Sequence, residues 1–380
     1  MAEQKGDDMN IAHLSTVHPR DDTRIAKKMC SALAEAGHAV TLYVADGRGD
    51  ERCRGIQIVD LGQPRSRLQR ASLTAAAMWR RAIQARHEIL HFHDPELIPG
   101  ALVARRCGQC VIYDIHEYYR LHLRKASNLP WLLKELLAWA YGLLEQCACR
   151  NLNACTVAAP HMLSNLRTKK AVVIENHVRP DELKPGTIRS SERELLVSYI
   201  GVLSKDRCVE VMVDAVANST CRLALAGKWY PPEYRDQIIR RPGWRRVAEW
   251  GLIDRIQVQQ LLSQSRAGLL IHDLQGDEEN SSSNKLFEYM AAGIPVIASN
   301  LKFAREVIQR HHCGLLVSPE EGSEAVSAAI DWILTHPDEA DRMGQAGRAA
   351  IEAEYDWNHM QARLNRLYTE LHNANQHSRS

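Results

Sequence analysis

The chain has 380 residues, of which 45% are hydrophobic and 25% are charged, values near the average for soluble globular proteins. This length is enough for two domains, each with its own hydrophobic core. A polar start and the lack of any apolar run of about eighteen residues argue against a secretory signal or a membrane-spanning helix, and predict a cytoplasmic protein.

The charge is uneven along the chain. Residues 1–190 hold 27 Lys+Arg against 20 Asp+Glu, whereas residues 191–380 hold 21 against 26. A basic first half is typical of proteins that work at an anionic membrane surface. One expectation is therefore that the protein contacts the inner face of the membrane peripherally. Nucleic acid is the weaker alternative, because aromatic and basic residues are not interleaved and only three Phe occur.

The ten cysteines show no disulfide-type framework, as expected in a reducing compartment. Cys107 and Cys110 could join Cys147 and Cys149 in a zinc site. The Cys-x-Cys spacing of the second pair is a poor match to known zinc sites, however. We therefore interpret these cysteines as small apolar residues at helix and strand ends.

The chain opens with a strand–helix–strand pattern. Asn10–Ser15 and Ala39–Ala45 are predicted strands, and the helix Thr23–Ala36 between them ends at Gly37. The loop after the first strand lacks Gly-x-Gly-x-x-Gly, which disfavours a nicotinamide-dependent dehydrogenase.

The same alternation continues through the first half. Further strands are predicted at Ile56–Leu61, Glu88–Phe92, Cys110–Ile115, Ala154–Ala159 and Ala171–Asn176. Strands separated by helical patterns imply a parallel sheet with helices on both faces. We therefore predict a first domain over residues 1–178, followed by a polar linker over 179–194 that contains two prolines and a glycine.

One predicted helix in this half, Trp131–Leu144, is strongly apolar on one side. It could lie on a membrane. We favour a buried helix of the first domain, because apolar stripes normally face a core.

The second half repeats the pattern. Strands are predicted at Leu195–Ile200, Arg222–Ala226, Val247–Trp250, Ala267–Ile271, Pro295–Ser299 and Gly314–Val317. They predict a second doubly wound domain over residues 195–356, with a last helix near Trp357–Asn373.

Within this domain, residues 280–299 combine a polar loop, a short helix and a buried strand. The helix is predicted to begin after residues that favour the N-cap position, namely Ser281, Ser282, Ser283 and Asn284. Gly293 followed by Pro295 predicts the end of the helix. The N-terminus of such a helix, with Lys285, suits an anionic phosphate, and Glu288 one turn further could accept hydrogen bonds from sugar hydroxyls. The alternative is a surface helix with an ordinary acidic residue.

The segment NKLFEYMAAGIPVIAS resembles the donor-binding segment of retaining glycosyltransferases of family 4, which have the GT-B fold. Members carry Glu-x7-Glu followed by small residues and Gly-x-Pro-Val; Glu288 matches the second glutamate, and Asn280 stands at the first. The likeness continues in AHLSTVHPRDDTRI, HFHDPELIPG, VIYDIHEYY, SYIGVLSKDR and DRMGQAGRAAIEAEYDW. It implies an α/β fold of two Rossmann-like domains facing a cleft, with residues 357–380 forming a helix that crosses back to the first domain.

The resemblance also assigns roles on the donor side. Glu288 would hold the ribose of the nucleotide, within a donor-binding set that we predict to comprise Gly227, Lys228, Ser283, Asn284, Lys285, Leu286 and Glu288. Lys205 and Arg207 would stabilise the leaving diphosphate, where negative charge grows. They could instead be solvated surface charges. Val202 stands where family members often have an arginine.

On the first domain, His116 matches the family's histidine that contacts the donor sugar, so it joins Lys205 and Arg207 as a catalytic candidate. The acceptor side is predicted to comprise His18, Arg20, His93, Asp94 and Glu117. His91, His93 and Asp94 could suggest a metal in another fold, but no third ligand group stands at a supporting spacing, and the family generally needs no metal.

The resemblance thus implies a retaining glycosyltransferase that moves a hexose-type sugar from a nucleoside diphosphate, UDP or GDP, to a glycan, glycolipid or small-molecule acceptor, with no cofactor and no metal. The role implied is polysaccharide biosynthesis. The alternative is a non-catalytic nucleotide-sugar-binding or assembly protein, which has lost catalytic activity because Asn280 replaces the first glutamate of the motif.

Overall fold

A computed structural model describes residues 8–125, 130–179, 182–186, 188–273, 284–318 and 321–377. The chain forms two compact units. The first comprises Met1–Asn176 together with Asn358–Ser380, and the second comprises His177–Trp357. The stretch predicted as a linker, 179–194, thus lies in the second unit.

The first unit is built on an eight-stranded sheet. Its strands are β1 (Asn10–Leu14), β2 (Ala39–Val44), β3 (Glu51–Cys53), β4 (Ile56–Asp60), β5 (Ile89–Phe92), β6 (Cys110–Ile115), β7 (Ala154–Val157) and β8 (Ala171–Val173). Their order is β3-β4-β2-β1-β5-β6-β7-β8, and every pairing is parallel except that of β3 with β4. All residues of β5 and β6 are buried, as expected for central strands covered on both faces.

Helices connect these strands. They are α1 (Ser31–Glu35), extended at its start by a π-helical turn over Ile25–Cys30, α2 (Arg67–Gln69), α3 (Ala75–Gln84), α4 (Ile98–Arg106), α5 (Tyr119–Lys125) and α6 (Trp131–Asn151). A π-helical turn over Arg70–Thr74 joins α2 to α3, and 3₁₀ turns lie at Pro95–Leu97 and Pro160–Asn165.

The second unit contains a six-stranded sheet that is parallel throughout. Its strands are β9 (Leu196–Ile200), β10 (Arg222–Ala226), β11 (Val247–Gly251), β12 (Ala267–Leu270), β13 (Val296–Ser299) and β14 (Gly314–Val317). They are ordered β11-β10-β9-β12-β13-β14, so the predicted second doubly wound α/β unit is confirmed.

Its helices are α7 (Val209–Ala215), α8 (Tyr234–Ile238), α9 (Arg255–Gln264), α10 (Asn284–Ala291), α11 (Lys302–His311), α12 (Gly322–Thr335) and α13 (Pro337–Ala353), with 3₁₀ turns at Ser190–Glu192, Lys205–Arg207 and Pro242–Arg246. Asp254 caps α9 through a capping box with Gln257. Gly293, with φ of +67°, ends the turn after α10, as its position before Pro295 predicts.

The last helix, α14 (Trp357–His377), belongs to the first unit from Asn358 onward. Its side chains Leu364, Leu367 and Tyr368 are fully or nearly fully buried. The C-terminal segment is therefore an integral part of the first unit.

The interpretation of Trp131–Leu144 as a buried helix is wrong. In α6 the buried side chains are Ala138, Ala148 and Cys149, whereas Trp131, Leu132, Leu136 and Trp139 are exposed. The apolar stripe that periodicity indicates is present, but it faces solvent. No helix in the described part of the chain combines the length and the hydrophobicity that a membrane-spanning segment requires.

Candidate active site

In the first unit the chain reverses its direction of winding between β1 and β5, the neighbouring strands at the centre of the sheet. Ligands of open α/β sheets bind at the carboxyl ends of strands at such a switch point. The loop after β1, the residues after β5 and His116 after β6 meet there. They line a pocket of about 220 Å³ that includes His18, His93, Asp94 and Glu117.

Asp94 fixes the loop after β1. Its Oδ2 accepts hydrogen bonds from the Ser15 hydroxyl (2.8 Å), the Thr16 amide (2.6 Å) and the Val17 amide (3.2 Å). Burial raises the pKa of this carboxyl, and the neighbouring His18 together with these donors opposes the rise. Asp94 thus shapes the pocket wall.

Asp114 lies at the centre of the site, fully buried on β6. Arg24 donates to both of its oxygens, from Nε at 2.9 Å and from Nη2 at 2.7 Å. Nδ1 of His93 and Nδ1 of His116 each lie 3.1 Å from Oδ2. Burial alone would raise the pKa of Asp114, but the charge and hydrogen bonds of Arg24 hold it well below its usual range. Asp114 is therefore an ionised carboxylate that orients two histidines.

His116 faces the pocket with its other nitrogen. Since Asp114 is ionised, Nδ1 of His116 donates to it, and in the neutral imidazole Nε2 is then the acceptor. Nε2 lies 3.1 Å from Nε2 of His18. Burial would lower the pKa of His18, but Asp22 and Asp94 raise it above its ordinary value, which makes His18 the donor of this pair. A ligand hydroxyl that replaced His18 would meet an acceptor on His116.

Behind the pocket, polar contacts of 2.7 to 3.2 Å form a closed ring that we call the polar circuit. Its members, each in contact with the next, are Asp114, His93, His13, Tyr368, His91 and Thr156. Thr156 closes the ring by donating to Asp114. Burial lowers the pKa of the three histidines, that of His93 to about 3. The imidazoles are therefore neutral at pH 7.

The statement that His91 and His93 lack a third potential ligand is wrong. His13 on the adjacent β1 brings a nitrogen within 4.8 Å of both, and Asp114 with His116 forms a second such group around His93. Parallel strands align residues far apart in sequence, which local spacing cannot detect. Each ring nitrogen of His13, His91 and His93 lies within 3.2 Å of a polar atom of another side chain. Neither group contains a cysteine within the part of the chain that the structure describes.

Arg20, predicted on the acceptor side, is not among the residues that line this pocket. Its guanidinium is buried and donates to both oxygens of Asp46, from Nε at 2.8 Å and Nη2 at 2.6 Å. Glu51 lies 3.2 Å away. These pairings fix the loop after β2 and account for the residue structurally.

The second unit has its own switch point, between β9 and β12. Glycines end three adjacent strands there: Gly201 after β9, Gly227 after β10 and Gly251 in β11. Gly227 has φ of +149°, and a Cβ on it would lie 1.7 Å from the Gly201 carbonyl oxygen. The sequence predicted this glycine for close approach to a ligand, whereas the structure shows close approach of the neighbouring backbone.

Two cationic segments meet this edge. Lys285 lies in the first turn of α10, and its Nζ is 5.5 Å from the centre of the Tyr199 ring. Its side chain also packs closely on Gly201, since a Cβ added to that glycine would lie only 2.3 Å from Cε of Lys285. Arg207, in the 3₁₀ turn after β9, places Nη1 2.5 Å from Nδ1 of His272 after β12. Lys205 in the same turn is exposed. The candidate phosphate-binding cations thus lie around the ends of β9 and β12.

Glu288 is half-buried and held by Arg255, whose Nη1 lies 2.6 Å from Oε1. Arg255 also contacts Glu182 at 3.3 Å. Arg255 was not predicted from the sequence, since it begins a different helix. One carboxylate oxygen of Glu288 is therefore positioned by an arginine.

The remaining donor-side candidates fall into different environments. Asn284 is exposed at the start of α10, while Leu286 is fully buried in the core. Lys228 has an exposed side chain, and its carbonyl accepts from the Leu203 amide at 2.9 Å. Ser283, like Asn280, lies outside the described residues.

Sequence reasoning also missed Asp114 and Arg24. A carboxylate within the otherwise apolar strand CVIYDI was a usable signal, because a buried charge requires a partner. The identity of that partner depends on the tertiary structure.

Comparisons with known proteins agree with this architecture. A family model described as "Glycosyl transferase 4-like domain" matches residues 23–180, and one described as "Glycosyl transferase-like" matches residues 206–366. A GDP-mannose-dependent alpha-(1-6)-phosphatidylinositol monomannoside mannosyltransferase of Mycobacterium tuberculosis is 38% identical over 77 residues. That match spans only 20% of this chain and 20% of the relative's length.

Solved structures match along nearly the whole chain. Sucrose-phosphate synthase from Thermosynechococcus elongatus has a TM-score of 0.76 at 18% identity, covering 96% of this chain and 99% of that one. HepE of Anabaena, in complex with UDP and glucose, has a TM-score of 0.72 at 14% identity, covering 95% and 100%. WaaG, involved in lipopolysaccharide biosynthesis, has a TM-score of 0.73 at 13% identity, covering 94% and 99%.

Proposed function

Since the chain belongs to the glycosyltransferases of the GT-B fold, with family 4 type domains, we propose that it transfers a hexose-type sugar from a nucleoside-diphosphate sugar with retention of anomeric configuration. The acceptor is a glycan, a glycolipid or a small molecule, in polysaccharide or glycoconjugate biosynthesis. The mycobacterial relative is named GDP-mannose-dependent and the HepE structure holds UDP, so both nucleotides are candidates.

The observation that carries this proposal is the edge of the second sheet. Lys285 lies against Gly201 at the start of α10, and Glu288 follows one helical turn later. A cation at a helix N-terminus suits a diphosphate, and a carboxylate at that distance suits the ribose hydroxyls.

Catalysis by this site rests on charge stabilisation. Negative charge grows on the diphosphate as the glycosidic bond breaks, and fixed cations stabilise it. Lys205, Arg207 and Lys285 are the residues assigned to that role, so the proposal requires no bound metal. Unchanged turnover in the presence of a chelator would agree with this assignment.

In the first unit, His116 is assigned to the sugar. Its Nε2 accepts a hydrogen bond from a sugar hydroxyl, while Asp114 holds Nδ1 and fixes the ring. His18, His93, Asp94 and Glu117 form the acceptor side. The donor nucleotide is thus assigned to the second unit and the acceptor to the first.

The test begins with thermal-shift screening of UDP, GDP and their sugar conjugates, because a ligand that binds the folded state raises the unfolding temperature. The stabilising donor is then incubated without acceptor. Slow release of the nucleoside diphosphate, with the sugar first appearing in the donor's anomeric configuration, is expected. Tight binding without turnover against a panel of acceptors would instead indicate a non-catalytic binding protein.

A further inference from the structure

Helix α6 presents an unusually apolar surface to solvent. Trp131 is 70% exposed, Leu132 71% and Trp139 58%, and Leu136 and Leu143 are also exposed. Leu132, Leu136, Trp139 and Leu143 recur every three or four residues and so lie on one face of the helix. A contiguous exposed apolar face of this kind marks an interaction site.

This face adjoins a second pocket of the first unit. The pocket has a volume of about 480 Å³ and lies between α5, α6 and the 3₁₀ turn Pro160–Asn165. Trp139 and Leu143 line it from α6, and Met162 lines it from the 3₁₀ turn. An apolar chain lying along α6 could therefore enter a preformed cavity.

The second pocket shares part of its wall with the candidate active site. Ile115, Glu117 and Tyr119 line both this pocket and the pocket that contains His116. The ring of Tyr119 lies 5.1 Å from that of Tyr141 on α6. A molecule held at α6 would thus have its polar end near the groups assigned to the sugar.

Exposed arginines of α5 lie beside the apolar face. Residues 65–73 and 119–125 together contain six Lys+Arg and no Asp or Glu. Arg70 and Tyr119 line the same pocket, so the two basic segments are neighbours in space. Arg120 and Arg124 are exposed beside α6, and Arg124 pairs with Glu135 at 2.7 Å.

We propose that α6 and these two basic segments dock the first unit on an anionic lipid bilayer, and that the acceptor is a lipid-linked molecule whose chain occupies the pocket beside Trp139. An apolar stripe bordered by Lys and Arg is the pattern of a helix that lies in the membrane interface. A second copy of the chain fits less well, because a two-fold interface on this face would bring the same cations together. The acceptor class rests on the proposed function, whereas the docking does not.

The experiment measures flotation of the full chain with vesicles of equal parts phosphatidylglycerol and phosphatidylcholine, and with phosphatidylcholine alone. Binding is expected to the anionic vesicles, weakened by high salt. Leu136→Glu combined with Trp139→Glu should weaken it roughly tenfold or more, since both side chains must leave water on docking. Leu252→Glu is the matched control, because Leu252 is 79% exposed in the second unit. It should bind like the wild type.

Charge is tested separately by Arg120→Glu, which should weaken binding to the anionic vesicles. Nucleotide binding by the α6 double variant and by Arg120→Glu, measured without vesicles by thermal shift, should equal that of the wild type, so failure of docking and failure of the donor site remain distinguishable. Equal flotation of the α6 double variant and the wild type would overturn the docking proposal. So would a stable dimer in solution that the double variant dissociates, with no flotation of either protein.

Discussion

The hydroxyl of Tyr368 lies 2.7 Å from Nδ1 of His91 and 3.1 Å from Nε2 of His13, so α14 meets the first sheet through buried hydrogen bonds as well as apolar packing.

The polar circuit has six contacts. With Asp114 ionised and the three histidines neutral, its members supply five protons, so one contact lacks a proton. The longest contact, 3.2 Å between His91 and Thr156, is the one expected to lack it, because Thr156 donates to Asp114 at 2.7 Å.

Tyr368→Phe should destabilise the first unit by about 2–4 kcal/mol, because it leaves a buried nitrogen of His13 and another of His91 without a partner. Unfolding in denaturant measures the change. Tyr355→Phe is the control: its half-buried hydroxyl contacts His311 at 3.1 Å, and its removal should cost less than about 1 kcal/mol. Equal stability of the Tyr368 variant and the wild type would show that the polar circuit contributes nothing to docking of α14.

Acid should destabilise the first unit well before its carboxylates titrate. His13, His91 and His93 have pKa values lowered by burial, that of His93 to about 3, whereas an unfolded histidine titrates near about 6.5. Below that unfolded value the unfolded chain binds more protons, so the free energy of unfolding falls as pH falls. Each histidine contributes a slope of up to about 1.4 kcal/mol per pH unit.

Thermal unfolding at about pH 7.5 and about pH 5 measures this dependence through the shift in midpoint. His13→Asn should reduce the slope, whereas His336→Asn, at an exposed position of the second unit, should leave it unchanged. A midpoint that is equal at both pH values in the wild type would contradict neutral histidines in the polar circuit.

Gly227→Ala should disrupt the second unit far more than Gly251→Ala. Both positions have positive φ, but a Cβ at Gly227 meets the Gly201 carbonyl, whereas a Cβ at Gly251 meets nothing within 4 Å. Backbone strain alone costs about 1–2 kcal/mol, and the clash should add at least about 2 kcal/mol more. Denaturant unfolding and nucleotide binding measured together provide the comparison; similar losses in the two variants would show that strain, not the clash, dominates.

Arg207→Ala and Lys285→Ala should each lower kcat by roughly a hundredfold, since each removes a cation from the leaving diphosphate. Lys205→Ala should act in the same direction. Arg222→Ala is the matched control, because this exposed arginine begins β10 at the opposite, amino edge of the sheet. If all three of these variants turn over as fast as the Arg222→Ala control in steady-state kinetics, these cations have no part in the mechanism.

Glu288→Gln should weaken donor binding by roughly five- to a hundredfold, equivalent to about 1–3 kcal/mol, because charge-assisted bonds to the ribose are lost. A dideoxy nucleoside diphosphate should bind the wild type and the variant equally. Arg255→Ala serves as a second variant, since it frees Oε1 of Glu288 without removing the carboxylate. A penalty for Glu288→Gln that persists with the dideoxy ligand would place the ribose elsewhere.

Strand positions were predictable because each buried strand is a short apolar run between polar turns. The largest boundary error is at β8, which ends at Val173 rather than Asn176. The sequence did not reveal β3, since its three exposed residues carry no hydrophobic pattern and its pairing with β4 depends on the turn at Gly55.

The positions of the candidate residues were predictable where a polar side chain follows its own strand, as His116 follows β6 and Asp94 follows β5. Contacts between strands were not predictable. Asp114 needs Arg24, and His93 needs His13, across distances along the chain that no local pattern encodes. The exposure of α6 was missed for a related reason: periodicity identifies an apolar face but not what covers it.

The return of α14 to the first unit affects the order in which the protein can fold. Tyr368 is 277 residues from His91 and 355 from His13, so these bonds cannot form until almost the entire chain has left the ribosome. The second unit, continuous from His177 to Trp357, is complete before that point. During synthesis the contacts of His13 on β1 and His91 on β5 with Tyr368 are therefore absent until the end of the chain emerges. A chain truncated before Tyr368 would lack these contacts in the first unit, while its second unit could still fold.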